Sequence, residues 1–184
     1  MDEVEKGFSG TKSSNATDGG TSSRVFGTFL SWMQEKRSPV FVVATANVVS
    51  QLPPELLRKG RFDELFFVDL PNQAEREAIW EIQIGKHGRD PEDFDVVQLA
   101  KATEGLTGSE IENVFIEALY LAFDSAADGE KEPTDLDIAR VLTEFIPLSK
   151  LMAEQIGSLR NWAKGRARLA TSLVSERGLR KLVV

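Results

Sequence analysis

Residues 39–71 read PVFVVATANVVSQLPPELLRKGRFDELFFVDLP. The run Val40–Ala46 is short, apolar and rich in β-branched residues, the pattern of a buried strand. It ends on one polar residue, Asn47. A loop follows with Pro53, Pro54 and a one-turn helix over Glu55–Arg58, then Arg58 and Arg61 around Gly60, and then a second apolar strand, Leu65–Leu70. An amide at the tip of a buried strand can orient a water or a phosphate. A guanidinium on the next loop can neutralise charge on a transferred phosphoryl group. Taken singly, Arg58 and Arg61 read as ordinary surface arginines.

The order ATAN, then LPPELLRKGRFDELFFVDLP, closely resembles the second region of homology of AAA+ ATPases. The resemblance implies that Asn47 is sensor 1 and that Arg58 and Arg61 are arginine fingers, acting in trans on a neighbour's nucleotide. The family usually has Pro where this chain has Lys59. At the start of the chain, MDEVEKG looks like the end of a Walker B motif with most of its apolar strand missing. By the same resemblance Asp2 helps hold Mg²⁺ and Glu3 polarises the attacking water. No G-x-x-x-x-G-K-[ST] loop occurs in the sequence, so a phosphate cradle is lacking and the chain alone is expected to be inactive.

Composition narrows the remaining classes. With 184 residues, 41% hydrophobic and 28% charged, the chain is an ordinary globular protein of one core or slightly more. It has no cysteine, hence no disulfide framework and no thiol chemistry. No apolar run approaches the ~20 residues of a membrane-spanning helix, and MDEVEKGF lacks a signal-peptide pattern. The expected compartment is the cytoplasm or the plastid stroma. The net charge of −7 is uneven, since residues 147–184 carry eight Lys and Arg against two acidic residues. Such a tail either packs on the acidic remainder or grips a polyanion; the first is the preferred expectation, and nucleic acid is not an expected partner.

The rest of the chain is read as helices. Gly7–Ser23, rich in Gly, Ser and Thr, is a flexible connector; in the resembling rings the corresponding connector lies near a central pore. Arg24–Lys36 is an amphipathic helix capped by Ser22 or Ser23, with Val25, Phe26, Phe29, Leu30, Trp32 and Met33 on its apolar face. Asn72 and Glu75 form a capping box for a helix through Ile84, ended by Gly85 and Gly88, with His87 against its last carbonyls. A short helix covers Asp93–Thr103. Thr107 and Glu110 form a second box before the stripe Ile111, Val114, Phe115, Ala118, Leu119, Ala122 and Phe123. Thr134 and Asp137 open a helix to Ile146, and Leu148–Val174 is mainly helical, with Arg160, Lys164 and Arg168 on one face.

EGLTGSEI is similar to the start of the AAA+ lid helix at the sensor 2 region, which implies that Gly108 and Ser109 face the nucleotide. No sensor 2 arginine is evident, as in the branch containing membrane-anchored proteases and segregases. From DEVEKG to PLS and LRNWAKGRARLA, the chain resembles uncharacterised AAA+ proteins of cyanobacteria and plastids, and no HExxH protease motif follows.

The expected fold is therefore α/β: the C-terminal part of a RecA-like P-loop NTPase subdomain (residues 1–71), an AAA+ helical lid (72–146) and a basic C-terminal helical extension (147–184). The resemblance implies ATP and Mg²⁺ as cofactors and other AAA+ subunits as partners in a hexameric ring. The expected function is ATP hydrolysis coupled to remodelling of a protein. The rival expectation is a non-catalytic partner-binding module, or a finger donor to a full-length neighbour. With the strand of the phosphate loop not in the chain, Val40–Ala46 and Leu65–Leu70 are each expected to keep a vacant edge beside a well-packed lid.

Overall fold

A computed structural model describes residues 1–8, 19–58, 60–125 and 132–171. Most of the Gly/Ser/Thr-rich connector and the end of the basic tail lie outside these residues. The chain forms two compact units, Met1–Leu65 and Phe66–Val184.

Among the described residues the first unit holds two helices, α1 (Val4–Phe8) and α2 (Gly19–Glu35), and two short 3-10 turns, Val49–Gln51 and Pro54–Leu57. Helix α2 starts before the Ser22–Ser23 cap expected from sequence, so those serines lie inside it. Its apolar face meets Val4 and Leu56: Phe26 is buried with them, and Phe29, Leu30, Ala44, Ala46, Leu52 and Phe62 pack around this centre. Val25 and Trp32, expected on the apolar face, are exposed.

Residues 40–46 do not form a strand, contrary to expectation. The pairing they have is with the start of the chain. Met1 N donates to Val43 O at 2.7 Å and Met1 O accepts from Thr45 N at 3.0 Å, the way one residue of a parallel pair spans two of its partner. Val4 N then donates to Thr45 O at 3.0 Å as the chain turns into α1.

The second unit is mainly helical. After β1 (Phe66–Phe67) come α3 (Gln73–Lys86), a 3-10 turn (Pro91–Asp93), α4 (Val96–Ala102), α5 (Gly108–Ser125) and α6 (Asp135–Glu144). All three capping boxes exist. Asn72 Oδ1 accepts from Glu75 N while Glu75 Oε2 accepts from Asn72 N; Thr107 with Glu110, and Thr134 with Asp137, repeat the exchange.

Trp80, Ile84, Ile111, Val114, Phe115, Ala118 and Ile138 form a closed core with Leu99, Ala100 and Leu106. Phe123, expected on the stripe, is exposed instead. Trp80 meets Phe115 edge-on at 6.2 Å, and its Nε1 donates to the buried Thr103 hydroxyl at 3.1 Å. Arg76, also buried, donates to Ala100 O and Pro71 O, both at 2.7 Å. The His87 side chain is not on the helix carbonyls; its ring lies against Phe115, 5.8 Å between centres.

The C-terminal segment departs from a single long helix. Helices α7 (Leu148–Leu151) and α8 (Ala153–Ala163) are followed by a turn at Gly165, whose φ of +74° suits glycine, and by strand β2 (Arg168–Leu169). Arg168 is therefore in a strand, not on a helix face with Arg160 and Lys164. Strand β2 pairs in parallel with β1, Phe66 opposite Arg168 and Phe67 opposite Leu169, and Ala170 N donates to Phe67 O at 2.9 Å. One edge of the strand after the finger loop is thus taken by β2, and among the described residues its other edge has no ladder partner, so it keeps the vacant edge expected of it. That strand is two residues long, shorter than the expected Leu65–Leu70, with Phe67 buried and Phe66 and Val68 exposed.

Arg160 on α8 holds Asp69 just past β1, and Leu148 N donates to Glu110 Oε1 at 2.6 Å. Gly105, with φ of +84°, lies where an added Cβ would meet Ser149 Oγ at 2.9 Å, so the loop before α5 and the start of α7 fit closely.

Candidate active site

The pairing of residues 1–4 with 43–45 brings the two ends of the first unit's motif together. Alternate residues of an extended segment face one side, so Thr45 and Asn47 both come alongside Asp2 and Glu3. Thr45 is the hinge of the arrangement: its hydroxyl donates to Asp2 Oδ1 and accepts from Glu3 N at 3.1 Å. Asn47 donates from Nδ2 to Glu3 Oε1 at 3.0 Å, and from its backbone N to Glu5 Oε1 at 3.1 Å. Glu3 Oε2 takes Lys6 Nζ at 2.6 Å. The hydrogen bond to Glu3, and then its charge, raise the Lys6 ammonium above its ordinary value.

Glu3 has φ of +47°, in the left-handed region that a non-glycine residue enters at a cost of order 1–3 kcal/mol. Strain of this kind persists where surrounding bonds fix the residue, and here Thr45, Asn47 and Lys6 all do. The strained residue is the one that the sequence resemblance makes the water-activating carboxylate.

Three of the expected site residues, Asp2, Glu3 and Asn47, are thus brought together. Arg58 and Arg61 differ in setting. Arg58 is exposed at the end of the Pro54–Leu57 turn. Arg61 is half-buried: with the Gln34 amide turned to suit its neighbours, the Gln34 oxygen accepts from both terminal nitrogens of the guanidinium, while the buried Nε has no partner.

Gly108 and Ser109 lie in the other unit, in the first turn of α5, where Ser109 Oγ is 3.2 Å from Thr107 Oγ1. Gly108, but not Ser109, lines an apolar cleft of about 710 Å³ walled also by Phe67, Leu70, Ile79, Ile156 and Leu159. Its size is that of a small-molecule pocket. Residues that sequence reasoning missed are Thr45, Glu5, Lys6 and Gln34. Only Thr45 had a signal, its place two residues before Asn47 on the same side of an extended run.

The donor set suits a magnesium nucleotide. Mg²⁺ takes oxygen ligands, commonly one or two carboxylates beside phosphates and water, and Asp2 is an exposed carboxylate held in place by Thr45. Among the described residues no three His, Cys, Asp or Glu converge, so protein ligands for such a cation would be few.

Comparison with known proteins gives the family. Residues 1–70 match the model of the ATPase family associated with various cellular activities (AAA), and residues 93–138 match the AAA+ lid domain, together more than half of the chain. The chain belongs to the AAA+ ATPases and carries the C-terminal part of a RecA-like module with its helical lid. It is similar to an uncharacterized AAA domain-containing protein, ycf46, of Pyropia yezoensis, with 47% identity over 93% of this chain and 34% of that protein. The ycf46 protein of Guillardia theta is 43% identical over 93% of the chain and 33% of its own length. An ATP-dependent zinc metalloprotease, FtsH 2, of Sphaerobacter thermophilus is 40% identical over 59% of the chain and 16% of its length. The chain thus spans about a third of the length of the ycf46 relatives it matches. Among the described residues no helix is long and apolar enough to cross a membrane.

Proposed function

We propose that this chain is the sensor and finger half of an ATPase that hydrolyses ATP with Mg²⁺ in a ring of like subunits and uses the cycle to remodel a protein partner. The observation that carries the reading is the Asn47 Nδ2 to Glu3 Oε1 hydrogen bond at 3.0 Å. It joins the amide at the end of the extended run to the carboxylate that follows the metal-binding aspartate, the pair that this chemistry needs side by side.

In this reading Glu3 accepts the proton of the attacking water and Asn47 fixes the orientation of that carboxylate. Asp2, steadied by Thr45, faces the metal. Arg58, exposed on its turn, reaches a neighbouring subunit's nucleotide, and Arg61 supports the same loop. Gly108 borders the cleft that takes the base and ribose, and Ser109 follows it in the first turn of α5. Bound Mg²⁺–ATP supplies the phosphoryl group and the cation that offsets its charge. The matching compartment is the cytoplasm or the plastid stroma.

A version of the protein that includes a phosphate-binding loop is expected to turn over ATP, and Glu3→Gln to abolish turnover while nucleotide still binds. The 184-residue chain, with no G-x-x-x-x-G-K-[ST], is expected to show none. Turnover by this chain alone that Glu3→Gln abolishes would overturn that expectation. A second reading, a finger donor without catalysis of its own, draws on the exposure of Arg58. It gains if the longer version binds nucleotide without turnover but stimulates a catalytic neighbour.

A further inference from the structure

Glu5 is 2% exposed, the most deeply buried carboxylate among the described residues. Its Oε1 accepts from Asn47 N at 3.1 Å and its Oε2 has no partner. Burying a carboxylate with an unsatisfied oxygen is costly, and an apolar side chain of similar size would fit a buried position better. The reason for a carboxylate therefore lies in the bond it makes. It is not a helix cap: α1 is five residues long, and the donor that Glu5 meets is on another segment, 42 residues away.

Asn47 follows the extended run and precedes the 3-10 turn Val49–Gln51, so no strand ladder or helix anchors its amide. Glu3 and Glu5, two residues apart, hold it from two sides. Glu5 takes the backbone N–H and Glu3 takes the side-chain N–H. The backbone bond sets where the Asn47 side chain begins, and hence whether Nδ2 meets Glu3.

We propose that Glu5 is a positioning residue for ATP hydrolysis, fixing the Asn47 backbone so that the Asn47 amide orients Glu3. The inference rests on the ATPase reading above. Its role is positional: Glu5 acts through the Asn47 backbone that it holds. Misplacing a catalytic group by about 1 Å can cost about 10²-fold in rate, and loss of the Glu5 oxygen is expected to act at that scale.

The test uses the version that includes a phosphate-binding loop. Glu5→Leu keeps volume and removes the acceptor; Glu5→Gln keeps an acceptor oxygen and removes the charge. Glu5→Leu is expected to lower kcat by about 10- to 100-fold with KM for ATP unchanged. Glu5→Gln is expected to recover most of the rate, and Asn47→Ala is expected to add little on top of Glu5→Leu. In the 184-residue chain, faster hydrogen exchange of the Asn47 amide in Glu5→Leu, with Glu5→Gln near wild type, reports the same bond without any turnover.

Full kcat in Glu5→Leu would overturn the proposal while leaving the ATPase reading intact. So would a loss of kcat that Asn47→Ala multiplies independently, or one shared equally by Glu5→Gln. A wild-type protein that binds ATP without hydrolysing it would overturn both. If Glu5→Leu does not fold, the Glu5→Gln rate and its Asn47 exchange decide: near wild type supports the proposal, and a loss equal to that of Asn47→Ala overturns it.

Discussion

Arg160 holds Asp69 with a forked guanidinium. Nε donates to both carboxylate oxygens, at 3.0 and 2.9 Å, and Nη2 to Oδ1 at 2.8 Å. The hydrogen bonds to Asp69, more than its charge, raise the guanidinium further above its already high value. A basic residue that composition alone leaves open to a polyanion is therefore engaged within the chain. Arg160→Ala is expected to lower stability by about 0.5–1 kcal/mol, with polyanion binding unchanged. A swap, Arg160→Asp with Asp69→Arg, should recover part of that loss in a thermal melt. Polyanion affinity that falls in Arg160→Ala while Tm stays constant would contradict this.

The two loop arginines should separate in assay. In the version with a phosphate-binding loop, Arg58→Ala is expected to cut kcat by about 10³-fold without moving Tm, since Arg58 is exposed. Arg61→Ala should lower Tm as well, by about 1 kcal/mol of stability, because it strips the Gln34 amide of its donors. Equal Tm in both variants would show that the Gln34 contact carries no stability. Mixing Glu3→Gln subunits with Arg58→Ala subunits should restore some turnover if the finger acts across subunits.

Thr103 is the acceptor for the buried Trp80 Nε1. Thr103→Val keeps the shape and leaves that N–H unpartnered, an expected cost of about 1–3 kcal/mol. Denaturant melts read it directly, and a change under about 0.5 kcal/mol would mean that the indole finds another acceptor.

Glu110 supplies a pH dependence. Burial pushes its carboxyl up, but bonds from Leu148 N, Thr107 N and the Thr107 hydroxyl outweigh burial and hold it below its ordinary value. A folded-state value below the unfolded one stabilises at pH above the unfolded value, ~4.3, and the benefit is lost as pH falls through the folded one. The α5 start and the Leu148 attachment should therefore loosen together in acid, read as faster exchange of the Leu148 amide. Glu110→Gln should show faster exchange at neutral pH and little further change in acid.

The legible parts of this molecule are those in which cause and effect are three or four residues apart. Asn72 with Glu75, Thr107 with Glu110 and Thr134 with Asp137 declare themselves by spacing, as does the stripe Ile111, Val114, Phe115, Ala118. Asp2, Glu3 and Asn47 stood out as candidates because their order follows a family pattern, and the structure brings the three side by side. What stayed hidden is long-range. Nothing local in Val40–Ala46 says that residues 1–4 are its only ladder partners among those described, or that the run would then be too thinly paired to count as a strand. Gln34 gives no sign that it meets Arg61, 27 positions on. The break after Ala163, at Gly165, reads through as helix in the sequence, and the pairing of Arg168 and Leu169 with Phe66 and Phe67 depends on where the whole helical bundle returns the chain.

That pairing has a kinetic consequence. Helices α3 to α6 meet partners near them in sequence and can form early, whereas Phe66 and Arg168 must close a loop of about 100 residues before their contact gains anything. Joining β1 to β2 should then be a late step in folding. A ladder of two residues a side, backed by one exposed ion pair, should also be an early one to open. During that interval the edge of the segment that continues the arginine loop stays available, so any strand offered sooner, from a longer version of the chain or from another molecule, competes for it on time rather than on affinity.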